Sequence, residues 1–216
     1  IRFHSVYWPA FLMAAKLPLP LKIYGHGWIL SDDKKMSKSI GNILDPLEII
    51  KKYGIDQVRY YLIKEVSLGN DGNVSINNLI NCINNDLANN FGNLCQRVFS
   101  FIEKNCAGKL PKSVKLQSVD LKLMNNLIKS IDQLVIDMDN QDLNNYIKKV
   151  VKFSFDANKY FNDLEPWSLK KTDTERMNTI LYTIVHQIKN ISILLSPIIP
   201  ISSHKILDIM NLNEKD

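Results

Sequence analysis

The chain has 216 residues, of which 45% are hydrophobic and 23% charged, with a formal net charge of +5. This describes an ordinary soluble globular protein of one or two domains with a real core. The longest apolar run, residues 191–201, is cut by Pro197 and Pro200 and is too short to span a bilayer, and no signal-peptide pattern is present.

Nearly all of the basic excess is lysine, the only arginines being Arg2, Arg59, Arg97 and Arg176. Charge therefore admits an anionic partner without establishing nucleic acid. The cysteines Cys82, Cys95 and Cys106 are odd in number and lack a Cys-x-x-Cys pair. They indicate neither a zinc knuckle nor a disulfide framework, and they fit helix packing in a reducing cytoplasm. The chain opens at Ile1 rather than a methionine, so the expectation is a piece of a longer protein.

In chain order, Phe3, Val6, Tyr7, Ala10 and Phe11 recur at helical spacing until Leu17-Pro18-Leu19-Pro20 ends the pattern. His4 stands inside it, either bonded locally at a helix start or placed to meet a ligand. Leu21-Lys22-Ile23-Tyr24 predicts a short strand, Gly25-His26-Gly27 a turn, and Trp28-Ile29-Leu30 a second extended piece ending in the turn residues Ser31-Asp32-Asp33. Asp45-Pro46-Leu47-Glu48 reads as a capped helix start, with Leu47, Ile50 and Tyr53 as its apolar face and Gly54 as its stop. Asp56 is the expected cap of the next helix, with Val58, Tyr61 and Leu62 inward.

Residues 67–75, containing Gly69, Asn70, Asp71 and Gly72, form the expected boundary: 1–70 is one unit and 71–216 the other. Beyond it long helical periods take over. A first helix is predicted over residues 75–106, then a linker over 108–118. A second helix carries Met124 to Met138, a third Leu143 to Phe161, and a fourth Met177 to Leu195, with Pro166-Trp167 marking a corner between the last two. A short fifth helix follows Pro200. Short connections predict an antiparallel bundle.

Two constellations carry chemistry. Lys35-Met36-Ser37-Lys38-Ser39, followed by Ile40-Gly41-Asn42, places two compact ammonium charges, hydroxyls and a permissive glycine in one loop after a strand. Such a loop suits phosphate, though a solvated surface loop has the same composition. Asn93 and Arg97, one helical turn apart, flank the buried face of the first long helix. With Trp167 they form a set able to stack on and hydrogen-bond unpaired bases. Taken singly, Trp167 also fits a core aromatic, Arg97 a cross-bundle ion pair and Asn93 a solvated surface.

The string Lys35 to Ser39 resembles the second signature of the class I aminoacyl-tRNA synthetases, with Gly25-His26-Gly27, Gly41-Asn42 and Asp45-Pro46 as matching flanks. The segment from Arg2 to Leu12, Phe91-Gly92-Asn93-Leu94 with Arg97, Leu164-Glu165-Pro166-Trp167 with Lys170, and Leu195-Ser196-Pro197 with Pro200 are similar to the methionyl branch of that class, in a bacterial or organellar style. The resemblance implies a mainly α fold. It would comprise a remnant of a Rossmann-like α/β nucleotide-binding domain with the loop and a connecting module, followed by the helical anticodon-binding bundle.

It further implies ATP, with Mg2+, and methionine as substrates, tRNA with a CAU anticodon as partner, and no metal held by this stretch. Lys35 and Lys38 would be the catalytic lysines, stabilising the leaving pyrophosphate. Residues 35–39 with Gly25, His26 and Gly27 would contact ATP, and His4 would line the methionine pocket. Asn93, Arg97 and Trp167 would read the anticodon. The family's His-x-Gly-His signature is not in the sequence, so this stretch alone is not expected to activate methionine. The alternative is a free-standing tRNA-binding module without catalysis. A helical bundle with an incidental Lys/Ser loop leaves the ordered matches unexplained.

Overall fold

The structure, a computed structural model, describes residues 1–31, 34–37, 39, 41–113 and 115–211. A wide helical turn over Phe3–Tyr7 leads into α1 (Trp8–Ala14), which ends where Lys16 turns left-handed before the prolines. The helix forms as its spacing predicts, but Phe3, Val6, Phe11 and Met13 all stay exposed. The strand expected over residues 21–24 does not form. Leu21 is fully exposed, and none of the described strands runs beside it to complete a ladder.

The sheet has three short strands in the order β2-β1-β3. β1 (Ile29–Ser31) pairs antiparallel with β2 (Lys34–Lys35), Leu30 opposite Lys35. It pairs parallel with β3 (Gly72–Val74), Ile29 opposite Gly72. A parallel pair needs a long crossover, and α2 (Pro46–Tyr53) and α3 (Ile55–Glu65) supply it. The glycine-rich stretch over residues 67–75 therefore contains a strand that returns to β1.

Asp45 caps α2 by accepting the Leu47 N–H at 2.8 Å, and Gly54 (φ 94°) stops it. Leu47 points to solvent, while Ile49, Ile50 and Tyr53 pack inward, so the expected apolar face is rotated by about one side chain. Asp56 is not the cap of its own helix. It is buried in the first turn of α3 and accepts the Ser202 N–H at 2.6 Å, capping α10 (Pro200–Ile209) instead. One turn on, Arg59 donates to the carbonyls of Ile198 (2.8 Å) and Pro197 (2.9 Å). These two side chains fasten α3 to the corner before α10.

The first long helix is α4 (Ile76–Cys82), a π-helical stretch (Ile83–Gly92) and α5 (Asn93–Asn105) end to end. The wider π turns swing two polar residues inward, and both are satisfied. Asp86 receives the Tyr60 hydroxyl (2.7 Å) and the Lys64 ammonium (2.6 Å), and Asn90 donates to Ser154 Oγ (2.6 Å). The expected second helix is divided into α6 (Ser118–Ile128) and α7 (Ile131–Asp139) by a turn at Lys129-Ser130.

α8 (Leu143–Leu164) and α9 (Thr174–Leu195) form the centre of the bundle. Tyr146 near the start of α8 donates to Leu194 O near the end of α9 (2.6 Å). At the other end of α8, the Tyr160 hydroxyl meets Asp120 (2.7 Å), which Arg176 at the start of α9 grips with two bonds of 2.6 and 2.8 Å. The two helices therefore run antiparallel. Their seam holds Ile147, Val150, Ala157, Ile180, Ile184 and Ile188, all fully buried.

Candidate functional sites

The lysine loop is organised by one amide. Asn42 Oδ1 accepts the Ser37 N–H at 2.8 Å while its Nδ2 donates to the Lys35 carbonyl at 3.2 Å. The Gly41 N–H returns to the Ser37 carbonyl at 3.1 Å, a closure that uses the left-handed φ of 73° at Gly41. Ser37 and Ser39 share a hydroxyl hydrogen bond of 2.7 Å. Met36 is half-buried and Lys35 exposed. Lys38, the second lysine of the motif, lies outside the described residues, as do Asp32, Asp33 and Ile40.

The Lys35 ammonium sits over the Trp28 ring, 3.8 Å from its centroid. Trp28 is held by its backbone: its N–H donates to Asp71 Oδ1 (2.6 Å) and its carbonyl accepts the Gly72 N–H (2.8 Å). Gly27 is pressed against the same loop so closely that a Cβ would fall 2.2 Å from the Asn70 carbonyl oxygen. His26 Nδ1 donates to the Gly27 carbonyl (2.9 Å), and Gly25 lies against Ile1. Gly25, His26 and Gly27 thus lead into Trp28 and β1, and residues 70–72 are the rail that fixes Gly27 and Trp28. His4 is exposed, its ring edge-on to Phe3 (5.9 Å) and Trp8 (6.5 Å). No described contact joins it to the loop.

At the far end of the bundle, α8 stops where Glu165 takes a left-handed conformation (φ 40°), and Pro166 after it is buried. The Ser168 N–H bonds to Glu165 O (2.9 Å) and the Leu169 N–H to Pro166 O (3.2 Å), so Trp167 projects from a braced corner. It is 43% exposed, which decides against a core aromatic. The Arg97 guanidinium lies 5.8 Å from the Trp167 ring and 5.3 Å from Phe161, and the two rings meet edge to face at 5.7 Å. Arg97 donates to Asn162 Oδ1 at 2.8 Å rather than to a carboxylate. Asn93 is exposed one turn before Arg97 on α5.

The structure thus brings Arg97 and Trp167 together and leaves Asn93 along the same helix edge. Three neighbours of these sites escape sequence reasoning. Trp28 and Phe161 read as ordinary apolar positions, although the strand register and the helical face place them. Asn162 carries no signal in the sequence. Among the described residues no group of His, Cys, Asp or Glu converges on a metal position, and no helix is long and apolar enough to cross a membrane.

A lysine loop on the edge of an α/β fragment, joined through helices to a bundle with an exposed Arg/Trp corner, is the layout of a class I aminoacyl-tRNA synthetase. Comparison with known proteins narrows this. Residues 1–99 match the family described as tRNA synthetases class I (M), and residues 110–216 match the anticodon binding domain of methionyl tRNA ligase.

The methionine–tRNA ligase of Rickettsia felis is 42% identical over 100% of this chain and 43% of its own length. That of Brucella suis is 43% identical over 97% of this chain and 41% of its own length. The structure of Mycobacterium tuberculosis methionyl-tRNA synthetase in complex with methionyl-adenylate superposes with a TM-score of 0.95 at 38% identity, over 99% of this chain and 43% of that one. Its apo form gives 0.90 at 34% identity, over 99% and 42%. The chain belongs to the methionyl-tRNA synthetase family, and it spans about two fifths of the length of the relatives it matches.

Proposed function

We propose that this chain is the loop-bearing and anticodon-reading part of an enzyme that joins methionine to tRNA through an ATP-derived adenylate in the cytoplasm. The methionine carboxylate would attack the α-phosphate of Mg2+-bound ATP, and pyrophosphate would leave. Such a displacement draws on positioning and charge stabilisation more than on an acid or base. Lys35 and Lys38 supply that charge at the leaving pyrophosphate. Ser37 and Ser39 offer further donors, and Met36 sits within the same loop. Gly25, His26 and Gly27 let the backbone approach the adenosine, and His4 lines the methionine side.

Residues 1–70 serve the nucleotide and residues 71–216 the tRNA, except that Asp71 and β3 pack back onto the loop-bearing sheet. Alone, the chain does not form the adenylate. It spans only 43% of the relatives' length, and the apolar face of residues 3–13 has no partner among the described residues.

The observation that carries the tRNA half is the exposed Trp167 ring backed by Arg97 and Phe161. A ring held at a braced corner offers a stacking face worth about 1–3 kcal/mol per base. Asn93 and Arg97 add donors that distinguish base edges. Titration of the chain with anticodon stem-loops bearing CAU or an altered triplet, at one salt concentration, tests this. The expected result is a preference for CAU that Trp167→Ala abolishes. Equal binding of both stem-loops by a folded chain would leave only phosphate contacts and overturn the assignment.

A further inference from the structure

We infer that Trp28 is a resting perch for the Lys35 ammonium, which polyphosphate must draw off the ring. The inference rests on the reading of Lys35 as a pyrophosphate ligand and adds a positioning residue to it. The register of the hairpin makes the contact. Leu30 faces Lys35 across the antiparallel pair. Trp28, two residues before Leu30, is therefore the diagonal neighbour of Lys35 on the same face, within reach of a ring and a long side chain.

The perch has a fixed base: the Trp28 backbone is bonded through its N–H to Asp71 and through its carbonyl to the Gly72 N–H, and Gly27 beside it lies close against the Asn70 backbone. Asn42 likewise holds the Lys35 carbonyl, so leaving the ring takes no more than a turn of the lysine side chain.

The strength of the contact suits a latch. Trp28 is 62% exposed, and a cation–π contact at an exposed site favours the stacked lysine by about two- to fivefold. Charge-assisted hydrogen bonds to a phosphate exceed that contact several-fold and displace it. At rest the perch keeps the ammonium from wandering, and with ligand it yields. Trp28 thus acts through Lys35 and need not touch the nucleotide.

The test uses the 216-residue chain with lysine side-chain carbons labelled, followed by NMR, with inorganic pyrophosphate as probe. In the free chain the ring current of Trp28 is expected to shift the ε-protons of Lys35 upfield. The shift should collapse on adding pyrophosphate, be lost in Trp28→Leu, and persist in weaker form in Trp28→Phe, which keeps a ring. Calorimetric titration should show Trp28→Leu binding pyrophosphate about three- to sixfold more tightly than the parent, since no perch competes.

An unshifted Lys35 in the free chain, a shift that survives saturating pyrophosphate, or weaker binding by Trp28→Leu would each overturn the latch. Lys35→Ala separates the two ideas. If it leaves pyrophosphate affinity unchanged, the role of Lys35 in the proposed function fails. If Lys35→Ala loses affinity while Trp28→Leu matches the parent, only the perch fails.

Discussion

The loop-bearing part and the helical bundle are held together by different means. In the bundle, apolar stripes at steps of three and four meet on all sides, and α8 and α9 bury a seam of side chains with no exposed surface. In residues 1–54 the apolar side chains mostly face outward, and order comes from single hydrogen bonds and close glycine approaches: Trp28 to Asp71, Gly27 against Asn70, and Asn42 to residues 35 and 37. A bundle is costly to deform in any direction. A hairpin held by a few polar contacts leaves one lysine free to change partner, which is what the proposed polyphosphate role asks of it.

The sharpest break of the contrast lies at the buried ion pair of the bundle. Asp120 has no exposed surface and receives Arg176, Tyr160 and the Gln117 N–H. Burial alone would raise its pKa, but the bonds from Arg176, Tyr160 and Gln117 outweigh burial and hold it below the ordinary carboxylate value. Asp120→Asn removes the buried carboxylate from a part-buried guanidinium and should cost about 3–5 kcal/mol in urea unfolding followed by circular dichroism. The pH dependence has a defined sign. Because the native pKa is depressed, the contribution is complete above the unfolded value of about 3.9 and fades as pH falls through the native value. The variant should lack that part of the acid loss.

The next prediction sets one apolar residue from each part side by side. Leu94 is fully buried, and Leu94→Ala should cost about 2–5 kcal/mol. Phe11 is 62% exposed, and Phe11→Ala should change unfolding by less than about 0.5 kcal/mol. Equal costs would mean that the outward face of residues 3–13 is covered in solution, and the contrast between the parts would disappear.

This asymmetry also explains what was legible in the sequence. The bundle announces itself because burial is periodic: Leu79, Phe91, Leu94, Val98 and Ile102 sit inside as their spacing says. Spacing could not announce the π turns that bring Asp86 and Asn90 inward, since a widened helix shifts the register without changing the residue types. Nor could it show that Asp56 caps α10, 146 residues away, because the capping signal looks the same whether the orphan N–H is local or distant. In the loop-bearing part the motif was legible as a string and its mechanics were not. The strand pairing that brings Trp28 beside Lys35 depends on a register that no pair of residues declares alone.

A smaller effect is expected at Gly27. A methyl there meets the Asn70 carbonyl oxygen at 2.2 Å and the Asp71 nitrogen at 2.5 Å, both backbone atoms that yield only if the rail moves. Gly27→Ala should cost about 1–3 kcal/mol locally. It should loosen the Trp28 N–H from Asp71, seen as faster hydrogen exchange at Trp28 with the bundle amides unchanged. An unchanged Trp28 amide would show that the rail is soft, and the two parts would then differ less than the contacts imply.

The smallest effect belongs to Asn42→Ala, and it separates fixing the backbone from fixing the side chain. The variant removes the acceptor of the Ser37 N–H and the donor to the Lys35 carbonyl, both near the surface where water replaces them. Each net bond is then worth about 0.5–1.5 kcal/mol, so exchange of the Ser37 amide should speed up by about two- to tenfold while global unfolding stays put. The Lys35 contact with Trp28 should persist with a broader signal, because the ring still stands on its rail. If the loop amides quicken and the lysine also leaves the ring, the loop backbone and the perch are one cooperative unit. If the amides do not quicken, residues outside 35–42 hold the loop, and the single-amide clamp is wrong.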